Sequence, residues 1–518
     1  MQISRASWID LRNRIDPQFY HPQNLKDVAE INKFKTTRLD DLRYRDTKIS
    51  YGVLKPRFVE SNFKLVRIQN FEDPFLDIDS CEGIAEEQFL EYQRSECCEG
   101  DILIAIGGYV GRAAIIPKLS SVRLNINQHI ARFRPNTTKK FDFYFLLSYL
   151  ISSIGYRQLN RYVSGAVQAG INLEDLREIP IPTPIIHAQT YIGDKVRLAE
   201  RLRDRSRILA ADIQDKMQEC FYSNPKPRPS KHHRINSDVL TANRLEYEFY
   251  TPLGLWADAE IRGSQWPYKR LANISLRIKD GPGGWGVSTS DYVNIGVPVI
   301  RAINLIDGEC DLTDCVYITP KKHKELASHT VKQNSVLLSV RGTIGRAAVF
   351  ESDEYKEVNL NAAVVTIDCN NEILPHFLAE FLNTEVGKIQ SQRMANGAVQ
   401  LNMNLEETGN NLIVVPPKDF QEKIVSLRQN RLATKSFSEK FTTAAKLLVE
   451  ALIEGKLTEE ELKIAQEALQ KGDREPDKAI LSRLTRKGYD IKDEPPLFPD
   501  LDLLYQTIDQ LKADEQGE

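Results

Sequence analysis

No basic excess marks this sequence. Among 518 residues, 69 lysines and arginines face 72 aspartates and glutamates, a formal net charge of −3. A chain that gathers nucleic acid through its overall charge is excluded, so any anion-binding surface must be local. Cysteine is scarce too: Cys81, Cys97, Cys98, Cys220, Cys310, Cys315 and Cys369. Their number is odd and no C-x-x-C occurs, which excludes a disulfide framework and a zinc ribbon. Cys310, Cys315 and His323 could be imagined as metal ligands, but free thiols of a reducing compartment account for them. Long apolar runs are missing. The most apolar segment, "FYFLLSYLISSI" from Phe143, follows Asp142 and is shorter than the roughly 20 residues that span a bilayer. It reads as a buried helix. No signal peptide opens the chain, and a cytoplasmic location is expected.

Catalytic signatures are also lacking. There is no G-x-x-x-x-G-K-[ST], hence no P-loop. "SNPKP" at Ser223 lacks the second proline and the aromatic residue of an adenine methyltransferase motif. "GPGGWG" at Gly281 is glycine-rich, but no clear helix follows to offer its dipole to a pyrophosphate. "EPDKAI" at Glu475 mimics part of a nuclease carboxylate motif without the strands that motif needs, and reads as a helix start. His232 and His233 lie in a polar linker. The chain is expected to carry no catalytic residues, cofactor or metal.

What is present is a repetition. "GDILIAIGGYVGRAAIIP" begins at Gly100 and "NSVLLSVRGTIGRAAVFE" at Asn334. Aligning them puts Arg112 on Arg346, an offset of 346 − 112 = 234. The same offset pairs Arg67 with Arg301, Asn125 with Asn359 and Asn127 with Asn361. "RIDPQFYHP" at Arg14 matches "RLEYEFYTP" at Arg244, and "SGAVQAGINL" at Ser164 matches "NGAVQLNMNL" at Asn396. The period is too long for a solenoid, so each copy is a domain with its own core. Within each, short apolar or alternating runs bounded by Gly, Asn and Pro read as strands, followed by a helix, the GAVQ loop and a proline-bounded strand. Each copy is expected to be α+β with a mainly β core.

Each copy ends in a long helix. The first is expected from about His187 to Phe221, with Ile192, Val196, Ala199, Leu202, Leu209, Ile213, Met217 and Cys220 as its apolar stripe. The second is expected from Asp419 past Gly455, with Phe420, Ile424, Leu427, Phe437, Phe441, Ala445, Leu448 and Leu452. Such rods are about 50 Å long. A single stripe on so long a rod needs a partner: the other copy's helix, as a coiled coil, or its own domain. "YSNPKPRPSKHHR" from Tyr222 is a stiff exposed linker. Thr458 and Glu461 fit a capping box. The acidic end beyond it, with Leu, Phe and Tyr in "EPPLFPDLDLLY", reads as a docking segment for a partner protein or a cap on the chain's own helices.

The ordered set resembles the specificity subunit of type I restriction-modification systems: the Gly-Arg-Ala-Ala turn after a strand, GAVQ followed by an Asn-Leu pair, and "VPPKDFQEKI" opening a helix that closes in "ALIEGKL". The resemblance runs from roughly Arg14 to Leu457. It implies two tandem, pseudo-symmetric target recognition domains joined by two long helices in an antiparallel coiled coil. The implied division is 1–185 and 237–418 for the recognition domains, 186–222 and 419–457 for the helical spacers, 223–236 for the linker and 458–518 for the extension. It also implies double-stranded DNA as ligand, read as a bipartite, asymmetric site. Two adenine methyltransferase subunits are the implied partners, which a motor or nuclease subunit can join. The alternative is a DNA-targeting adaptor of another defence effector, without methylation.

DNA contacts call for long polar or cationic side chains on loops beside strands. "RYRDTKISYGVLKPR" gathers Arg43, Arg45, Lys48, Lys55 and Arg57 around Tyr44 and Tyr51, although Asp40, Asp41 and Asp46 could pair with these charges. The corresponding loop of the second copy offers Lys279 near Trp285. Tyr109 and Arg341 to Thr343 occupy the variable tip of the strand-turn motif. Arg112 and Arg346 are shared by domains expected to read different sequences, which suits scaffold or phosphate rather than bases. The same holds for Gln168 and Gln400, though a glutamine can also reach adenine. Arg161 and Arg393 precede the GAVQ loop in both copies and are assigned to phosphate, with a surface salt bridge as the alternative. Positions that differ are the candidates for specificity: Tyr109 against Thr343, and Ala169-Gly170 against Leu401-Asn402.

Overall fold

The computed structural model describes residues 17–72, 74–119, 121–164, 169–227, 234–235, 237, 240, 244, 246–282, 286–397 and 401–517. They form two compact units, Met1–Arg205 with Ala433–Glu518, and Ser206–Leu432. The division cuts across the linear segments expected from sequence, because each long helix contributes one half to each unit.

In unit 1 the strand Ile102–Ala105 is flanked by Ile130–Phe133 and Ala113–Ile115, both antiparallel to it. It is buried on both faces, and its alternate residues feed two different cores. Ile102 and Ile104 face a cluster built from helices, including Leu146, Leu147 and Leu150. Leu103 faces Leu124 and Ile126 in a second, smaller sheet. There Phe63–Val66 runs parallel to Arg123–Ile126. Unit 2 repeats the strands around this one, within larger sheets of six and five strands. Leu337 pairs with Ala348 as Leu103 pairs with Ala114. Val336 and Leu338 enter the helical core while Leu337 enters the other. The architecture is α+β.

The apolar run at Phe143 is the buried helix Phe143–Ile151. Asp142 caps it, accepting from Tyr144 N at 2.9 Å and Phe145 N at 3.2 Å. Ser152 ends it and caps the next helix, Ser153–Arg161. The turn between them is tight: a Cβ at Gly155 would lie 1.9 Å from Tyr149 O, and one at Gly387 in unit 2 would lie 2.3 Å from Phe381 O. Both copies therefore need glycine there. Among the described residues no helix is long and apolar enough to cross a membrane.

The first long helix spans Ile186–Gln218 and the second Lys418–Ile453. The second stops short of the expected end because Gly455 turns left-handed (φ 72°) and Lys456 N bonds back to Ala451 O. In unit 1 Ser438 Oγ donates to Ala199 O at 2.7 Å, and Ile185 N donates to Glu459 just past the second helix. The halves thus run antiparallel. In unit 2 the matching serine, Ser206, donates to Arg431 O, while Gln265 and Trp266 meet Glu219 and Phe420 at the opposite ends. The same antiparallel contact is made twice. The stripes bury against their own domain as well as against the other helix, so the two expected alternatives both hold.

Part of the C-terminal extension packs on unit 1. Leu497, Phe498, Leu504 and Tyr505 are buried in its core with Phe437 and Phe441, while Leu503 is exposed. Phe498 stacks on Phe441 at 5.1 Å. Asp477, in the segment that mimicked a nuclease motif, is buried. It accepts from Tyr191 Oη (2.5 Å), Lys195 Nζ (2.6 Å) and Tyr505 Oη (2.5 Å). Burial pushes its carboxyl up, but Lys195 and the two tyrosines outweigh that and hold it below the usual aspartate range.

Asp477→Ala leaves Lys195 buried without a counter-charge and should lower stability by about 3–5 kcal/mol. A depressed carboxylate contributes stability above the ordinary aspartate value, near pH 4, and loses it as pH falls through its lower folded value. Thermal unfolding followed down to about pH 3 should show this acid-dependent loss in the wild type and not in Asp477→Ala. Equal stability of the two proteins at pH 7 rejects the account.

Candidate nucleic-acid interface

The turn after Ile102–Ala105 carries Gly107, Gly108 and Gly111, the last two left-handed at φ 74° and 100°. Gly342 and Gly345 do the same in unit 2, at 72° and 92°. Side chains other than glycine are strained in this conformation. The turn in turn lifts Tyr109, 73% exposed, to its tip. Thr343 is exposed at the same place in unit 2.

The residues flanking GAVQ are bound to this tip. In unit 1 Ile171 N donates to Ile106 O at 2.9 Å, and Ser164 and Gly170 exchange backbone bonds of 2.9 and 3.0 Å. In unit 2 Met403 N donates to Val340 O at 3.0 Å, and Asn396 and Asn402 exchange bonds of 2.9 and 2.8 Å. Two stretches some sixty residues apart in sequence therefore form one surface in each unit. Gln168, Gln400 and Trp285 lie outside the described residues.

On these matched frames the side chains differ. Gly107 and Gly170 bridge in unit 1; their counterparts Arg341 and Asn402 bridge in unit 2, with Arg341 Nε donating to Asn402 Oδ1 at 2.9 Å. The structure thus joins two residues that the sequence offered separately. Asn402 orients the exposed guanidinium while its other donors point to no acceptor among the described residues. The first unit brings Gln128 and His129 to the same tip, where the second has Ala362 and Ala363. Sequence reasoning missed this pair, although polar residues matched against alanines within an otherwise repeated strand were the available signal.

Several expected contacts are corrected. Arg161 is buried, donates to Phe19 O at 2.8 Å and stacks on the Phe19 ring. Arg393 is buried against Phe249 and pairs with Asp258 at 2.7 Å. Neither can meet a phosphate; both are internal struts, the same one in each copy. Arg43 is spent on its own loop, pairing with Asp40 at 2.7 Å and donating to the carbonyls of Arg45 and Thr47. Lys279 sits not on a loop but on the strand Ser275–Asp280, opposite Thr366. Arg45, Lys48 and Tyr51 are exposed. His323 is engaged by Asn359, and among the described residues no group of three metal-ligating side chains assembles.

The shared arginines have separated. Arg112 is half-buried and donates to Ile68 O at 3.2 Å and Phe71 O at 2.5 Å, bracing the turn against the preceding strand. Arg346 is exposed and its guanidinium makes no hydrogen bond or ion pair among the described residues.

A doubled α+β unit with an exposed strand-turn tip on long antiparallel helices is the class this geometry defines. Residues 20–199 match the family of the type I restriction modification DNA specificity domain. The chain is 29% identical over 167 residues to the type I restriction enzyme EcoBI specificity subunit of Escherichia coli, covering 32% of this chain and 34% of that protein. It thus aligns with about a third of that relative's length. Its fold aligns with the S subunit of a type I restriction-modification system from M. genitalium (14% identity, 80% of this chain and 95% of that one, TM-score 0.44). It also aligns with the HsdS subunit from Thermoanaerobacter tengcongensis (18% identity, 82% and 97%, TM-score 0.27). The likeness to a type I specificity subunit thus lies in residues 20–199 and in the 167 residues aligned with that relative.

Arg112→Ala deletes two bonds to buried carbonyls and should destabilise the protein by about 1–3 kcal/mol. Arg346→Ala, at the matched position, should stay within about 0.5 kcal/mol of wild type. Denaturant unfolding of the two variants decides this; equal losses mean the arginines share one role.

Proposed function

We propose that the chain is a non-catalytic, sequence-specific DNA-binding subunit that reads a bipartite, asymmetric double-stranded target. In this reading it directs two adenine methyltransferase subunits to that target, and a motor or nuclease subunit can join. The observation that carries the reading is the pair of tips. Each copy builds the same backbone frame from the same hydrogen bonds, and the frames present different side chains: Tyr109, Gln128 and His129 in one, Arg341, Thr343 and Asn402 in the other. A scaffold protein has no use for a conserved frame with a divergent tip, whereas two half-sites of different sequence require it. Arg341 is suited to a guanine edge, where a guanidinium can donate twice to O6 and N7. The long helices are proposed as the spacer that sets the distance between half-sites, a rod of about 50 Å corresponding to about 15 base pairs.

Replacing residues 14–185 with the first recognition domain of another specificity subunit tests the reading. With methyltransferase partners present, methylated genomic DNA should show one half of the target changed and the other retained. A change in both halves, or methylation at unaltered sites, rejects two independent readers.

A further inference from the structure

Unit 1 holds a cavity of about 680 Å3 away from the tip, lined by Lys48, Tyr51, Arg94, Arg132, Arg134 and Arg177 among others. It lies at the far end of the strand Ile130–Phe133. Ile130 pairs with Ala105 beside the tip, whereas Phe133 pairs with Ile102, about 10 Å further along.

The floor is fixed. Arg134 pairs with buried Asp101 through two bonds, 2.8 and 2.7 Å. Arg132, itself 3% exposed, donates to the carbonyls of Glu96 (3.3 Å), Arg94 (3.1 Å) and Lys48 (3.5 Å). Its Nε has no acceptor among the described residues. Carbonyls cannot neutralise its charge, and Asp101, 3.9 Å from its Nη1, is shared with Arg134, which bonds it twice. Of the two lining carboxylates, Glu96 is taken by Arg123 at 2.8 and 2.9 Å, and Asp46 remains as a negative charge on the rim. Lys48 and Arg94 are exposed on the walls and make no ion pair among the described residues. The lining therefore carries an excess of positive charge, Lys48, Arg94, Arg132, Arg134 and Arg177 against Asp46 and Glu96, beside the flat face of Tyr51, over which Arg94 lies at 5.8 Å.

The second unit shows that the fold does not need this charge. Strand register matches Ser50 with Lys279 and Arg132 with Thr366. There Arg277, from the neighbouring strand, reaches the two carbonyls equivalent to those of Arg94 and Glu96. It donates to Ser328 O at 2.7 Å and Thr330 O at 3.4 Å. One guanidinium is enough to staple that corner. The remaining cations of unit 1 are replaced: Arg94 by Ser328, Arg134 by Asp368, which accepts from Ser335 at 2.6 Å, and Arg177 by Gly409. Arg134 is paired with Asp101 and Arg177 with Asp40 at 3.9 Å, so the cation that unit 1 adds without a counter-charge among the described residues is Arg94, beside Lys48.

We propose that this cavity binds a phosphate group, held by Lys48 and Arg94 above the Arg132–Arg134 floor, with Tyr51 as a wall. The phosphate is either a free one, inorganic or on a nucleotide, or one of the backbone of a DNA duplex. The assignment does not depend on target recognition at the tips.

Titration calorimetry of the full chain with inorganic phosphate is the test, repeated with a random-sequence duplex bound. Lys48→Gln and Arg94→Gln should each weaken phosphate binding about tenfold, the loss of one charge-assisted hydrogen bond, without lowering the unfolding temperature. Arg94→Lys, which keeps the charge, should recover most of the affinity. Phosphate displaced by the duplex identifies a DNA phosphate as the occupant; phosphate binding that persists identifies a free one. No phosphate binding by the wild type, or equal binding by both glutamine variants, overturns the proposal. Loss of target recognition at the tips with phosphate binding intact counts against the DNA-reading role alone.

Discussion

The structure depends on a strand that is buried on both faces. Ile102–Ala105 and Val336–Ser339 each divide their side chains between two cores, so neither strand can slide or rotate without exposing apolar surface to water. The glycine turn at the end of each strand inherits this rigidity. In both units the second loop is tied to the turn by backbone hydrogen bonds, which do not depend on side-chain identity. That separation lets the tip residues change while the frame persists. The two copies use this freedom: one carries Tyr109 with glycines around it, the other an Arg341–Asn402 pair.

The two copies also show how a structural role can outlast the residue that performs it. A guanidinium closes the same corner in both units, yet it comes from Arg132 on one strand and Arg277 on its neighbour. Arg112 and Arg346 show the converse, an identical residue with different work. Identity at a matched position is therefore weak evidence of identical function; the partners of the side chain decide it. Arg161 and Arg393 are the case where identity and role agree, each buried on an aromatic ring and a backbone carbonyl.

The extension shows the limits of reading polarity from composition. Its acidic, proline-rich sequence looked solvent-facing. In the structure Asp477 is a buried acceptor for three donors, two of them from the first long helix, and Leu497 and Phe498 are core. The acids Asp514 and Glu515 pair with Arg205 and Arg201 of that helix. Charge complementarity with a segment about three hundred residues earlier cannot be seen in a local window.

By itself the sequence determined the duplication, the strand and helix content of each copy, the apolar stripes of the long helices and the capping signal at Thr458. These are local or periodic properties, set by side-chain spacing and by which residues can cap or turn a chain. It also placed the variable tips, because internal repetition exposes what differs. Only the tertiary structure decided which cations are free. Whether an arginine meets solvent or a carbonyl depends on groups distant in sequence: Phe19 for Arg161, Ile68 and Phe71 for Arg112, Asp258 for Arg393. A guanidinium has five donors and a long reach, so its local sequence says little about what it bonds. Folding spends most of these groups on the scaffold and leaves a few, Arg346, Lys48 and Arg94 among them, facing water.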